Sequence, residues 1–443
     1  VTPTGGTGPG AGLPAQDGTP GSRYPLLVDL TDRHVLVVGG GPVAARRAAT
    51  VVQARARVHV IAPDLCEDLA DLVAEGRVTW SPREARVEDV AAGPPPACAV
   101  AGSVSRWWLV HTATGDPGVD AAIADAAEHA GTWCVRADRA EASAAHTPAT
   151  AHGPDGVQVA VSGGGDPGRA RALRDAIAEL LATGGLPVRP TRTTGRGRVV
   201  LVGGGPGDPG LITVAGRQWL GRADVVVADR LGPTGILAEL DPTVEVIDVG
   251  KSAGNHPIPQ EQINRILVEQ AERGRTVVRL KGGDPFVLGR GGEEALHCIG
   301  HGIPVEVVPG VTSAISVPAA AGIPVTHRGI TTSVVVASAH AGADDALDAA
   351  RSAPPGATLV LLMGLSSLDR TAGELIAAGH RADTPVAVVS DGWSTRQRTV
   401  TATLDTIARE VAAAALPGPV VIVVGDVVGL RAELLPLDRR AAP

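Results

Sequence analysis

Aromatic side chains are almost missing from this chain: six Trp, one Tyr and one Phe make up 2% of its 443 residues, beside a single Met. A core without rings must be built from Ala, Val, Leu and Ile. Cysteine is scarce as well. Cys66, Cys98, Cys134 and Cys298 lie far apart with no CxxC pair, which fits neither a zinc site nor a disulfide framework and places the chain in the cytoplasm. Long apolar runs are absent too, since a membrane span needs about 18 such residues and even VVIVVGDVVGL (420–430) is cut by Asp426. The N-terminus has no charged-then-apolar signal pattern, so no membrane partner is expected. A net charge of −8 argues against a general nucleic-acid binder and leaves room for a local basic pocket. What abounds is Gly (57) and Pro (35), the punctuation of an α/β chain with many tight turns rather than a sandwich.

At roughly 150 residues per domain the length predicts two or three domains. Residues 1–23, rich in Gly, Pro and Thr without periodicity, predict a disordered leader. From His34 the pattern reads strand (Val35 to Val38), glycine turn, helix (Val43 to Gln53) and strand (Val58 to Ala62). Helices through Ala121 to His129 and Arg169 to Leu181 follow, a βαβ series that implies a parallel sheet in a first domain, 24–182. Residues 183–198 carry several Arg, no acid, no apolar period and no aromatic for base stacking, so they read as a linker. A second α/β series fills 199–443. Its strands are expected at Val199–Val202, Val225–Ala228, Val277–Leu280, Leu359–Met363, Val386–Ser390 and Val420–Val424, with a helix at Gln260–Arg273 whose Ile263, Ile266, Leu267 and Ala271 form one stripe.

Two glycine turns open the two halves. In VLVVGGGPVAARRA (35–48), Gly39, Gly41 and Ala44 form a GxGxxA turn between strand and helix, where a pyrophosphate can approach the helix N-terminus. The acid sought at the end of the second strand is replaced by Ala62 and Pro63 ahead of Asp64, which leaves NAD against NADP open. The second turn, VVLVGGGPGDPGLIT (199–213), is not a second copy of the first. Pro206, Asp208 and Pro209 delay the helix and put negative charge at its entrance, which disfavours a phosphate. A third turn, Gly282-Gly283-Asp284-Pro285, breaks the strand VVRLK so that backbone can approach a small molecule.

The ordered blocks GGGPGDPGLIT, VVVADRL, VGK, VVRLKGGDPFVLGRGGEE, VVPGVTSAISVPAAAGIPVTHRG and LLMGL, spread over 199–430, resemble the S-adenosylmethionine-dependent tetrapyrrole methylases, most closely the uroporphyrinogen-III C-methyltransferases. The resemblance implies a two-subdomain tetrapyrrole methylase α/β fold. It puts Pro206, Gly282, Gly283, Asp284, Val287, Thr312, Ser313, Met363 and Gly392 around S-adenosylmethionine, Asp229 as proton acceptor and Lys251 as proton donor. Arg230, Lys251, Lys281, Arg290, His327, Arg328, Arg396 and Arg398 are candidates to meet the carboxylate arms of a tetrapyrrole. The first half is similar to the precorrin-2 dehydrogenase and ferrochelatase module of siroheme synthases, a Rossmann-like domain. That similarity implies NAD bound along Gly39, Gly41, Pro42, Val43, Pro63 and Asp64, with Asp138 of WCVRADRAEA as the catalytic aspartate.

The implied activity is double methylation of uroporphyrinogen III at C2 and C7 to precorrin-2, followed by NAD-dependent oxidation to sirohydrochlorin. The loop SGGGDP (162–167) is one residue shorter than the family's, and a long helical dimerisation segment has no counterpart. Oxidation with poor iron insertion is therefore the expectation for the first half, and a homodimer is the candidate assembly. Three alternatives stand beside this reading: a methylase acting later on a precorrin, a methylase carrying a degenerate NAD-binding half, and a ligand-sensing scaffold without turnover.

Overall fold

The structure, a computed structural model, describes residues 24–96, 106–186, 188, 197–229, 234–250, 258–339, 348, 351–354 and 356–434. The expected leader, most of the expected linker, Arg230 and Lys251 lie outside the described residues. By its own contacts the chain divides into two compact units, Val1–Pro148 and Ala149–Pro443.

In the first unit, strands β1 (His34–Val38), β2 (Arg57–Ala62), β3 (Val78–Pro82), β4 (Leu109–Thr112) and β5 (Trp133–Arg136) form one sheet in the order β3-β2-β1-β4-β5. Every pairing in it is parallel, as the βαβ pattern implies. Helices α1 (Pro42–Gln53), α2 (Glu67–Ala74), α3 (Glu88–Ala92) and α4 (Pro117–His129) make the crossovers. One sheet face packs Val35, Val37, Val58 and Val60 against Ala44, Ala45, Ala48 and Val51 of α1. The other packs Leu36, Val38, Ile61 and Val110 against Trp107, Ile123 and Ala127. Covering both faces explains the unbroken apolar runs of these strands. Chain order reverses between β1 and β4, which sets a ligand crevice at their carboxyl ends.

The second unit starts with an antiparallel hairpin, β6 (Ala149–His152) and β7 (Gln158–Val161), and helix α5 (Pro167–Thr183). The sequence assigns this segment to the first half. Its contacts run the other way, because α5 packs on α6 (Val214–Leu220): Gln218 Nε2 donates to the Ala182 carbonyl and Arg222 pairs with Asp155 at 3.6 Å.

Strands β8 (Arg198–Gly203), β9 (Val225–Ala228), β10 (Glu245–Asp248), β11 (Thr276–Lys281) and β12 (Val305–Val308) form a second parallel sheet, β10-β9-β11-β8-β12. Helices α7 (Thr234–Leu237), α8 (Gln260–Glu272), α9 (Gly291–Gly300) and α10 (Ser313–Ala320) follow in turn. The stripe on α8 buries Ile263, Leu267 and Ala271 against Val199, Leu201, Val225 and Val277, with Ile266 at its margin. Burying one such Val, Leu or Ile stabilises the fold by about 1.5–3 kcal/mol relative to exposing it.

The third sheet departs from the parallel rule. Strands β13 (Val334–Ser338), β14 (Thr358–Leu362), β15 (Pro385–Ser390), β16 (Arg398–Thr403) and β17 (Val420–Val424) are ordered β13-β14-β17-β15-β16, and only β13–β14 is parallel. Strand β14 ends at Leu362, one residue before the expected Met363, because Met363 adopts a left-handed φ of 58° that ends the ladder. Helix α10 lays Ala314 and Val317 on Val360, Ala387, Val389 and Val421, so it carries the second sheet's final loop onto the third sheet.

Candidate functional site

The first glycine turn sorts its glycines by what surrounds them. A Cβ at Gly39 would lie 2.2 Å from the Ala113 carbonyl oxygen, and one at Gly40 would lie 1.8 Å from that of Asp64. These two residues let the loops after β1, β2 and β4 close on one another, a closure sealed by Gly39 N–H to Ile61 (3.0 Å) and Cys66 N–H to Gly40 (2.8 Å). Gly41 is different. Nothing lies within 4 Å of its Cβ direction, it caps α1 without a side-chain hydrogen bond, and Pro42 follows at the first helical turn. The first turn of α1 has no side-chain cap and starts beside open space, which leaves room for a pyrophosphate at its N-terminus. Exposed Pro42, Val43, Pro63 and Asp64 border the same opening. The residues fit a dinucleotide.

Asp138 stands two residues beyond β5, at the carboxyl edge of this sheet. Its Oδ1 accepts from Arg136 Nε (3.0 Å) and its Oδ2 from Arg136 Nη2 (2.6 Å). That hydrogen-bonded guanidinium holds the carboxyl below the usual aspartate range.

In the second unit the turns after β8 and β11 interlock. Gly205 N–H donates to the Gly283 carbonyl (3.1 Å) and Gly283 N–H returns to Gly205 (2.7 Å). A Cβ at Gly203 would come within 2.4 Å of Gly310 N, and Gly283 has a φ of 66° with Ser313 N only 3.3 Å from its Cβ direction. Pro206, Gly282, Gly283, Thr312 and Ser313 are thereby gathered around one backbone junction, with Val287 in the turn that follows. Thr312 caps α10, its side chain accepting from Ala314 N–H. Gly392 reaches the same helix from the third sheet, where a Cβ would strike Val317 at 2.6 Å.

The Asp284 carboxylate accepts two backbone hydrogen bonds. Its Oδ1 accepts from Phe286 N–H (2.8 Å) and its Oδ2 from Gly310 N–H (3.0 Å), so the carboxylate ties the turn after β11 to the loop after β12. Met363 is half exposed at the end of β14, which leaves its thioether free to cover an apolar ring. Glycines that press backbone against backbone, with no phosphate cradle, suit an uncharged adenosine.

Asp229 follows β9, beside β11, whose Leu280 pairs with Ala228. Its Oδ1 meets Arg279 Nη2 at 2.7 Å, and Arg279 runs back under the sheet to Glu294. Glu294 is fully buried, and its Oε1 accepts from Arg279 Nε (3.1 Å), Lys281 Nζ (3.0 Å) and Gln260 Nε2 (3.0 Å). Its Oε2 has no partner among the described residues. Burial, then the Arg279 charge, pushes Lys281 below the usual lysine range. Lys281 is thus part of a buried network and does not face a substrate arm. Arg290 pairs with Glu293 (2.6 Å) and Arg396 with Asp391 (3.3 Å), while His327 and Arg328 are exposed.

Sequence reasoning missed Arg279, Glu294 and Arg136. A signal was present in VVRLK, where two cations sit inside an otherwise apolar strand and demand a buried acid. Only the tertiary structure says that the acid is Glu294 rather than its neighbour Glu293.

Fold and site together define a class, a parallel-sheet unit with a nucleotide-type glycine turn followed by a two-sheet α/β unit whose glycine turns suit a small-molecule cofactor. Residues 26–149 match the family described as putative NAD(P)-binding, and residues 198–408 match the tetrapyrrole (corrin/porphyrin) methylases. Siroheme synthase 1 of Aeromonas salmonicida (strain A449) is 35% identical over 93% of this chain and 96% of its own length. Siroheme synthase of Salmonella paratyphi B (strain ATCC BAA-1250 / SPB7) is likewise 35% identical, over 93% of this chain and 98% of its own. A uroporphyrin III C-methyl transferase structure from Thermus thermophilus is 39% identical and covers 53% of this chain and 99% of that one, with a TM-score of 0.46. The chain belongs to the siroheme synthase family.

Proposed function

We propose that the second unit methylates uroporphyrinogen III at C2 and C7 to precorrin-2, and that the first unit oxidises precorrin-2 to sirohydrochlorin. S-adenosylmethionine supplies the methyl group as a sulfonium electrophile, and NAD accepts a hydride. The observation that carries the reading is the placement of Asp229 and the Gly282–Gly283 turn at the ends of neighbouring strands, β9 and β11. A pyrrole carbon aligned by that turn needs no protein nucleophile, only orientation and a proton acceptor. Asp229 is that acceptor, aimed by Arg279, and Lys251 is the donor.

Gly282, Gly283, Thr312, Ser313, Met363 and Gly392 hold S-adenosylmethionine, with Pro206 and Val287 at the rim. Asp284 belongs with them, its side chain also fixing the turn. In the first unit Gly41, Pro42, Val43, Pro63 and Asp64 hold NAD, with Gly39 shaping the loop, and Asp138 stands at the tetrapyrrole. The substrate is a tetrapyrrole, and no helix among the described residues is long and apolar enough to cross a membrane. Action in the cytoplasm, as a homodimer, completes the proposal.

The test is anaerobic incubation of the purified chain with uroporphyrinogen III and S-adenosylmethionine, with and without NAD and ferrous iron, read by mass and absorption. Precorrin-2 should form without NAD and sirohydrochlorin with it. Asp229→Ala should bind S-adenosylmethionine normally and lose about 10²- to 10⁴-fold in methylation rate. Full activity of that variant would remove Asp229 from the mechanism.

A further inference from the structure

The resemblance to a dehydrogenase and ferrochelatase module would ask Asp138 to serve two reactions with opposite needs. In the oxidation a hydride leaves the macrocycle for NAD and a proton leaves for solvent, so a fixed negative charge beside the ring favours the step. Metal insertion instead exchanges two pyrrole protons for a divalent cation, and a carboxylate can guide that cation only with a lone pair to offer.

The guanidinium of Arg136 takes both oxygens of Asp138 in a fork, at 3.0 and 2.6 Å. Arg136 is itself only 8% exposed and is anchored at the end of β5, where Ser143 Oγ accepts its backbone N–H at 2.9 Å. A bidentate arginine of this kind is a strong, preorganised partner that stays charged at every working pH. Around the pair stand the backbone of Arg139, buried Asp120 on α4 and buried Cys134 on β5. Asp120 is turned to its own loop, its Oδ1 accepting from Thr114 N–H and Oγ. Cys134 is pushed up to about 12 by burial and stays a thiol. No group of three or more metal-ligating side chains occurs among the described residues.

We infer that Arg136 is a specificity-determining residue: its guanidinium occupies the position a divalent metal substrate would take at Asp138, which keeps the first unit an oxidase of its tetrapyrrole and closes it to metal insertion. The guanidinium takes one lone pair on each oxygen along the direction of the fork, and its charge repels a second cation there. The inference rests on Asp138 being the tetrapyrrole-facing carboxylate.

The experiment supplies sirohydrochlorin directly, with ferrous or cobaltous ion, to the full chain and to Arg136→Met and Arg136→Lys. Metal-tetrapyrrole formation is followed by absorption and mass. Oxidation of precorrin-2 with NAD and methylation of uroporphyrinogen III are measured on the same preparations. Binding of cobaltous ion alone is read from its visible spectrum. The unmodified chain and Arg136→Lys should stay at the non-enzymatic insertion rate. Arg136→Met should insert metal at least about tenfold faster and give a cobalt spectrum, with methylation unchanged. Adding Asp138→Asn to Arg136→Met should abolish the gain.

Fast insertion by the unmodified chain would overturn the inference. So would a folded, methylating Arg136→Met that neither binds cobalt nor inserts metal, or an Arg136→Lys that gains as much. Absence of NAD-dependent oxidation in the unmodified chain would instead sink the oxidation reading, a separate result, because sirohydrochlorin is supplied here.

Discussion

At the first glycine turn Gly41 hands the chain to α1 at the very next residue, whereas at the second, residues 204–213 separate β8 from α6. The first leaves open space beside an uncapped helix start. The second spends its glycines on backbone contact, Gly203 on Gly310 and Gly205 on Gly283. Similar strings, VLVVGGGP and VLVGGGP, therefore build opposite surfaces, one suited to a pyrophosphate and one to an uncharged nucleoside. The carboxylates differ in the same sense. Asp229 is held through Arg279 by a network reaching a fully buried Glu294, while Asp138 is held by a local pair two residues away along the chain.

The largest effects that would break this comparison come from filling the contacts. Gly40→Val should abolish NAD binding and leave S-adenosylmethionine binding intact, because its Cβ would run into the Asp64 carbonyl. Gly283→Val should do the reverse, since a β-branched residue at a φ of 66° is strained and Ser313 N lies 3.3 Å away. Calorimetry with each cofactor reads both, and equal losses of the two affinities would show that the turns are not independent.

Next in size is Glu294→Ala. It leaves Arg279 and Lys281 buried without their shared acid, and breaking such a pair costs about 3–5 kcal/mol. A fall in the thermal midpoint of the second unit, with NAD binding retained, is the expected result. No change in that midpoint would mean that water already satisfies the network.

A smaller contrast is one of pH. His59 and His111 of the first unit are held down at about 4 by burial, from an ordinary 6.5, whereas no described histidine of the second unit is buried. Below 6.5 the unfolded chain takes up protons that the folded first unit refuses, so its stability is full above that pH and is lost as pH falls towards about 4. Pulsed hydrogen exchange after acid exposure should label peptides around β1 and β2 before those around β8 and β11. Simultaneous labelling would place the acid-sensitive groups elsewhere.

The smallest effect is expected for Gly41→Ala. Its backbone φ is −83° and the space beyond is open, so folding should be unchanged and NAD affinity should fall only a few-fold. An unfolded variant would show that Gly41, like its two neighbours, is there for packing.

Much of this was legible in the chain itself. Strands such as Val35–Val38 and Val58–Ala62 fall inside observed strands because a strand buried on both faces is apolar over most of its length. The α8 stripe is likewise a local consequence of helical period, and the glycine turns announce themselves by composition. The residues proposed for S-adenosylmethionine on 206–313 lie in or at the end of the loops that follow β8, β11 and β12 of one parallel sheet.

What the sequence by itself determined, then, was the elements with the strongest apolar runs or helical stripe and the class of ligand each glycine turn could take, since periodicity and backbone sterics act over a few residues. Only the tertiary structure decided that the third sheet is mixed, that α5 packs on α6, and that Asp284 is a tether. It alone chose Glu294 as the acid that answers Arg279 and Lys281, and Arg136 as the clamp on Asp138. These depend on which charges come to share a low-dielectric interior, and residues that are remote in sequence meet there only once the sheets are assembled.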